Sequence, residues 1–155
     1  MATNSKLRDP AAEILLGALP DLIGYQLRLA QIAIFRDFAA SLGTYDITPG
    51  LFGTLVIIDA NPGLKQSELA KATHLDRSTV VSVIDNLERR GLVERRSAAT
   101  DRRSNALQLT SAGKALLKKL QQLVAEHEQR LTENLSDKEQ VTLVRLLQKI
   151  FPEHR

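Results

Sequence analysis

The chain has 155 residues, enough for one domain with a sizeable core and too few for two ordinary ones. Apolar residues make up 43% and charged residues 25%, which argues against a disordered polyelectrolyte, and no stretch approaches the ~18 consecutive apolar residues of a membrane span. Cysteine is absent, which removes disulfide staples, cysteine-type zinc sites and thiol redox sensing together, and the net charge of +3 is too small to indicate nucleic acid by itself.

The first nine residues carry no periodic pattern and read as an arm. The apolar run Ile14–Leu19 is short and lacks a small-residue cleavage site, so the cytoplasm is the expected address. Pro10–Leu19 can form a short helix. Pro20-Asp21 reads as the start of a longer one, with proline in the first turn and an acid that complements the helix dipole. Leu22, Tyr25, Leu29, Ile32 and Phe35 or Arg36 follow at three-to-four spacing and predict a buried stripe in a helix that Gly43 ends. Thr48-Pro49 starts the next helix, an N-cap followed by proline, and its apolar residues Leu51, Phe52, Leu55, Val56 and Ile58 place it centrally. Asn61-Pro62-Gly63 then forces a turn.

A short helix at Gln66–Ala72, a turn at His74-Leu75 and a longer helix from Arg77 to Arg90 follow in quick succession, with Asp76 as N-cap and Gly91 as terminator. Val80, Val83, Ile84 and Leu87 share one face of the longer helix; Arg77, Ser78, Thr79, Ser82 and Asn86 fall elsewhere. Leu92–Arg96 and Asn105–Leu109 read as strands around a polar loop, Ser97–Ser104: a hairpin with a charged tip. Between Arg89 and Arg103 lie Arg89, Arg90, Arg95, Arg96, Arg102 and Arg103 against only Glu94 and Asp101, the local excess a phosphate-facing surface needs. Standing alone, such a cluster also fits a solvated, salt-bridged loop. Thr110-Ser111 opens a helix reaching about Asn134, and Ser136-Asp137-Lys138-Glu139 is a capping box before a last helix with Val141, Val144, Leu147 and Ile150 or Phe151 on one stripe. That stripe either completes the core of its own chain or forms a seam with a second copy.

A short helix, tight turn, longer helix and β-hairpin make a winged helix-turn-helix, whose second helix a DNA major groove can admit. Small polar residues near its start let the backbone approach, so Ser78, Thr79 and Ser82 are candidate contacts to base edges and phosphates, with Arg77 and Asn86 beside them. An ordinary amphipathic helix with a polar outer face is the competing reading of this segment. Enzymatic chemistry finds little to build on: the histidines stand apart at 74, 127 and 154, with no glycine-rich phosphate loop and no HExxH motif. Neither catalysis nor a cofactor is expected. A winged-helix module gripping an acidic protein partner is the alternative function.

The run LKQSELAKATHLDRSTVVSVIDNLERRGLVERR, followed by DRRSNALQLTSAGKALL, resembles the multiple-antibiotic-resistance-regulator (MarR) family of bacterial transcription factors. The resemblance covers roughly Thr48 to Phe151 and is most specific in Asp76–Val93 and in Asp101-Arg102-Arg103 with Leu109-Thr110. It implies a mainly α fold with a small β-hairpin wing: a winged helix-turn-helix over 48–110 flanked by dimerisation helices at 10–45 and 111–151. It also implies a homodimer, joined through helices that include Val141, Val144, Leu147 and Ile150, that binds double-stranded, pseudo-palindromic operator DNA, with repression the expected outcome. Arg103 then becomes the wing arginine that enters a minor groove, Asp101 the acid shaping the wing, and Arg102, with Arg95 or Arg96 on the wing strands, phosphate contacts. A small effector, an aromatic acid or acyl-coenzyme A, is expected between the dimerisation helices and the DNA lobe, with Tyr25, Arg28, Phe35, Arg36, Phe52 and His74 as candidates. One departure stands out: Lys65 occupies the position where the family often has a Thr or Ser cap, so that cap is expected to differ.

Overall fold

In the structure, a computed structural model describing residues 14–98 and 101–151 (side chains excepted at 97, 98 and 101–105), Pro20 starts a 3-10 turn, Leu19–Asp21, and not the long helix itself. Leu22 turns extended (φ −89°, ψ 127°), and helix α1 runs from Ile23 to Leu42. No helix forms over residues 14–18, and 10–13, like the other terminal residues, lie outside the described residues. The chain divides into two compact units, residues 1–37 and 38–155. In the first, the expected buried stripe is open to solvent in the single chain: Leu22, Leu29, Ile32 and Phe35 are all exposed, Phe35 by 50%. Burial in α1 begins only with Phe38 and Leu42.

The second unit is built on local signals that the sequence carries plainly. Thr48 caps α2 (Pro49–Ala60) by accepting from the Leu51 amide at 3.2 Å, and the buried Thr54 hydroxyl donates to the Gly50 carbonyl at 2.9 Å. Gly63, at φ +91°, turns the chain into a two-residue strand, β1 (Leu64–Lys65), with its amide donating to the Leu107 carbonyl. Helices α3 (Gln66–Thr73) and α4 (Arg77–Arg89) follow, then strands β2 (Val93–Ala98) and β3 (Asp101–Leu109). The sheet is antiparallel in the order β1-β3-β2, with Leu64 opposite Leu107 and Val93 opposite Leu109. Both hairpin strands are longer than their sequence pattern indicates. Ala98 pairs with Asp101 beyond a register shift, so most of the expected loop Ser97–Ser104 is strand.

Helix α5 (Ser111–Leu131) ends in a turn just short of the expected Asn134, and α6 (Asp137–Ile150) starts from the anticipated Ser136–Glu139 capping box. The core gathers Leu55 and Ile58 of α2, Leu69 of α3, Val80, Ile84 and Leu87 of α4, Val93 and Leu107 of the sheet, and Leu117 and Leu120 of α5. Each fully buried leucine or isoleucine contributes roughly 1.5–3 kcal/mol of transfer free energy. His127 lies inside, edge-on to the Phe38 ring at 5.4 Å between centroids. α6 buries nothing: Val141, Val144, Leu147 and Ile150 are all exposed, so the stripe does not complete the core of its own chain. Among the described residues no helix is long and apolar enough to cross a membrane.

Candidate nucleic-acid interface

The interface is organised around the entry to α4. Helix α3 opens without a side-chain cap, since Lys65 has no acceptor to offer; the Glu68 carboxylate takes the Lys65 amide at 2.8 Å instead. The helix closes at His74, whose left-handed backbone (φ +55°) makes the tight turn. Leu69 and Val80, both buried, fix the two helices to the core from either side of it. Asp76 then gathers the start of α4: its carboxylate accepts from the Thr79 amide at 2.8 Å, the Thr79 hydroxyl at 2.7 Å and the Ser78 hydroxyl at 2.5 Å. These bonds, the one from the Ser78 hydroxyl foremost, hold the Asp76 carboxyl well below the usual carboxylate range. The Ser82 hydroxyl donates back to the Ser78 carbonyl at 3.1 Å.

Arg77, Ser78 and Ser82 are exposed along the outer face of α4, together with Val81. Thr79 is half-buried and committed to the cap. Asn86 is half-buried, and its carboxamide oxygen is buried with no hydrogen-bond partner among the described residues.

The second element is the hairpin. Arg95 on β2 reaches back to α4, donating to Asp85 at 2.6 Å and to Glu88, with Nε donating to the Gln66 side chain at 3.2 Å. Burial works against its charge, but the hydrogen bond to Asp85 and the field of Glu88 outweigh it, and the guanidinium pKa rises. This arginine, expected among the phosphate contacts, therefore clamps α3, α4 and the hairpin to one another, and it neutralises two acids on the outer face of α4. Among the described residues, Arg96, 62% exposed at its side chain, pairs with Glu94 two positions before it. Asp101, Arg102 and Arg103 begin β3, within the basic hairpin; their side chains lie outside those described.

Two further fixings had no clear signal in sequence. Arg90 donates to the Tyr45 and Asp46 carbonyls at 2.8 and 2.9 Å, tying the end of α4 to the segment before α2. At the other end of the hairpin, Thr110 donates its hydroxyl to the Gly91 carbonyl at 2.6 Å while capping the Gly113 amide, and Gly113 packs so tightly that an added Cβ would lie 2.0 Å from the Leu92 carbonyl oxygen. The Arg95 clamp did leave a trace: Asp85 and Glu88 sit at i, i+3 on a helix otherwise flanked by arginines, a pair of acids that calls for a cation.

The effector candidates divide between the two units. Tyr25, Arg28, Phe35 and Arg36 belong to the first, where Tyr25 is half-buried and the rest exposed. In the second, half-buried Phe52 packs against Phe38 (6.4 Å between centroids), and His74 meets Phe151 edge-on at 5.1 Å. Of the expected dimer residues, Val141, Val144, Leu147 and Ile150 share the exposed apolar surface of α6 with Leu143 and Leu146.

Comparison with known proteins points the same way as this geometry. A family model described as "MarR family" matches residues 45–104. The chain is 42% identical over 141 residues to a putative transcriptional regulatory protein for the hcr operon of Thauera aromatica, covering 90% of this chain and 85% of that one. Among solved structures it is similar to the transcriptional repressor CouR bound to a 23-mer DNA duplex, at 40% identity and a TM-score of 0.85, with 90% of this chain and 99% of that one covered. The same repressor bound to p-coumaroyl-CoA matches at 37% identity and a TM-score of 0.81, over 89% and 97% of the two chains.

Proposed function

The chain belongs to the MarR family of transcriptional regulators, and on that premise we propose that it is a homodimeric repressor that reads a pseudo-palindromic operator and leaves it on binding a small effector. The observation that carries this reading is the face of α4: Arg77, Ser78 and Ser82 stand exposed on a helix that a cap, a core stripe and the Arg95 clamp hold rigidly beside a basic hairpin. A polar helix of this kind, presented on a rigid frame, suits a major groove, where each base pair is distinguishable. Arg103 enters a flanking minor groove in this reading, since a narrow AT-rich groove concentrates negative potential. Arg102 and the exposed Arg96 contact phosphates. Arg95 drops out of the contact set, spent on the clamp, and Asn86, with its carboxamide oxygen buried, is left out of it too.

The exposed apolar stripes of α1 and α6 supply the dimer surface, because two copies can bury what one copy leaves open. For the effector, the CouR structure with p-coumaroyl-CoA supports an acyl-coenzyme A of an aromatic acid over the free acid. The test is a selection of bound duplexes from a random pool by the full chain, followed by release assays with aromatic acyl-coenzyme A esters and the corresponding free acids. A two-fold symmetric selected sequence, released by the esters, is expected. Retention of every random duplex alike, or of none, would contradict the reading, and absence of binding would favour a module that docks on acidic protein.

A further inference from the structure

The outer face of α4 is polar except at one point. Val81 is 44% exposed, while its neighbours Val80 and Val83 turn inward. At about 100° per residue, Val81 stands in the same outward arc as Arg77, Ser78 and Ser82. A β-branched residue has no helix-forming advantage at an exposed position, so local propensity gives no reason for it. The hydroxyls around it are constrained too. Ser78 donates to Asp76, and Ser82 donates to the Ser78 carbonyl. A hydroxyl that has given its proton to its own helix presents only lone pairs outward. This surface therefore offers an apolar patch flanked by acceptors.

Base pairs differ in how they match that surface. In the major groove an A·T pair shows a thymine methyl together with an adenine amino donor; a G·C pair shows an amino donor and no methyl. Resting on the reading of α4 as the groove-entering helix, we propose that Val81 is a specificity-determining residue that packs against the 5-methyl group of one thymine in each half-site. The Ser82 hydroxyl oxygen accepts from the amino group of an adjacent adenine. The apolar contact then selects thymine at that position without a charged side chain, while the acceptor, which a cytosine amino group would satisfy equally, adds affinity and not discrimination.

The test uses the duplex that the full chain selects, with each thymine replaced in turn by deoxyuridine, which removes only the methyl group. At one thymine per half-site the replacement should weaken binding about fourfold, the transfer free energy of one buried methyl-sized group. Val81→Ala should bind the thymine and uracil duplexes equally, with an unchanged salt slope, since no charge is altered, and an unchanged circular dichroism spectrum. A flat uracil scan overturns the assignment, as does a scan whose sensitive position persists in Val81→Ala. If the full chain selects no duplex, the reading of α4 fails and this inference falls with it. If duplexes are selected and the scan is flat, only the role of Val81 fails.

Discussion

At Asp76 two hydroxyls and an amide converge on one carboxylate, and the consequence is a pH dependence with a definite sign. The folded-state pKa lies below the unfolded value, so the unfolded chain binds more protons in acid and stability rises with pH there. The cap is fully present above the ordinary carboxylate range and is lost as pH falls through the depressed value. Thermal melts between about pH 2 and 6 should show Asp76→Asn with a shallower acid limb than the parent, because asparagine keeps the cap geometry and loses the charge. Equal limbs would place the acid sensitivity elsewhere. Gly113 makes a different point, about space. A Cβ there would meet the Leu92 backbone oxygen at 2.0 Å, and backbone cannot move aside as a flexible side chain does. Gly113→Ala should destabilise the fold by about 1–3 kcal/mol or more, read as a lowered denaturation midpoint. Thr110 and Gly113 together seat α5 on the hairpin, so this loss should loosen the wing as well.

Among the elements, the hairpin and α4 behave as one piece because of Arg95. Its loss leaves Asp85 and Glu88 unneutralised on the surface assigned to DNA and frees β2 from α3 and α4. Arg95→Ala should therefore weaken operator binding without narrowing base preference, and Arg95→Lys should restore little, since one ammonium cannot reproduce the forked geometry. Binding at the parent's level would show that the clamp is dispensable. What the sequence made legible follows from range. Asp76, Thr48 and the Ser136–Glu139 box are local signals, complete within four residues, and all three form as read. The partners of Arg95 and Arg90 and the neighbour of Gly113 depend on how distant elements pack, which no local pattern encodes. β1 was missed because two residues cannot display an alternation. From α1 onward the order of helices and hairpin was readable, β1 apart; the length of the hairpin was not, because its charged residues look like loop whether or not they are paired.

For the whole molecule, the apolar stripes of α1 and α6 fall on helices as read, but the burial expected of the α1 stripe is absent within one chain, and the proposed dimer is what would cover both. Leu22 with Leu29, Ile32 and Phe35 of α1, and Val141, Val144, Leu147 and Ile150 of α6, are exposed large apolar residues, the kind of surface that marks an interaction site where it is continuous. Leu147→Asp should shift the sedimentation mass at micromolar protein from dimer towards monomer, by burying an unpaired charge in the seam. An unchanged mass would put Leu147 outside it. Loss of the dimer should also cost operator affinity, because each copy would then hold a single half-site.

All of this converges on one claim, that a dimer lays two α4 helices and two basic hairpins along a duplex, and the salt dependence of operator binding tests it most directly. Neutralising about six to ten phosphates per dimer releases as many counterions, so raising salt from about 50 to about 200 mM should lower affinity for the selected duplex by roughly 10³–10⁵. Arg103→Ala should reduce that slope while leaving the central base preference intact. An affinity that stays level across the same salt range would contradict the account, leaving the arginines of the hairpin as a solvated surface and α4 without a duplex to read.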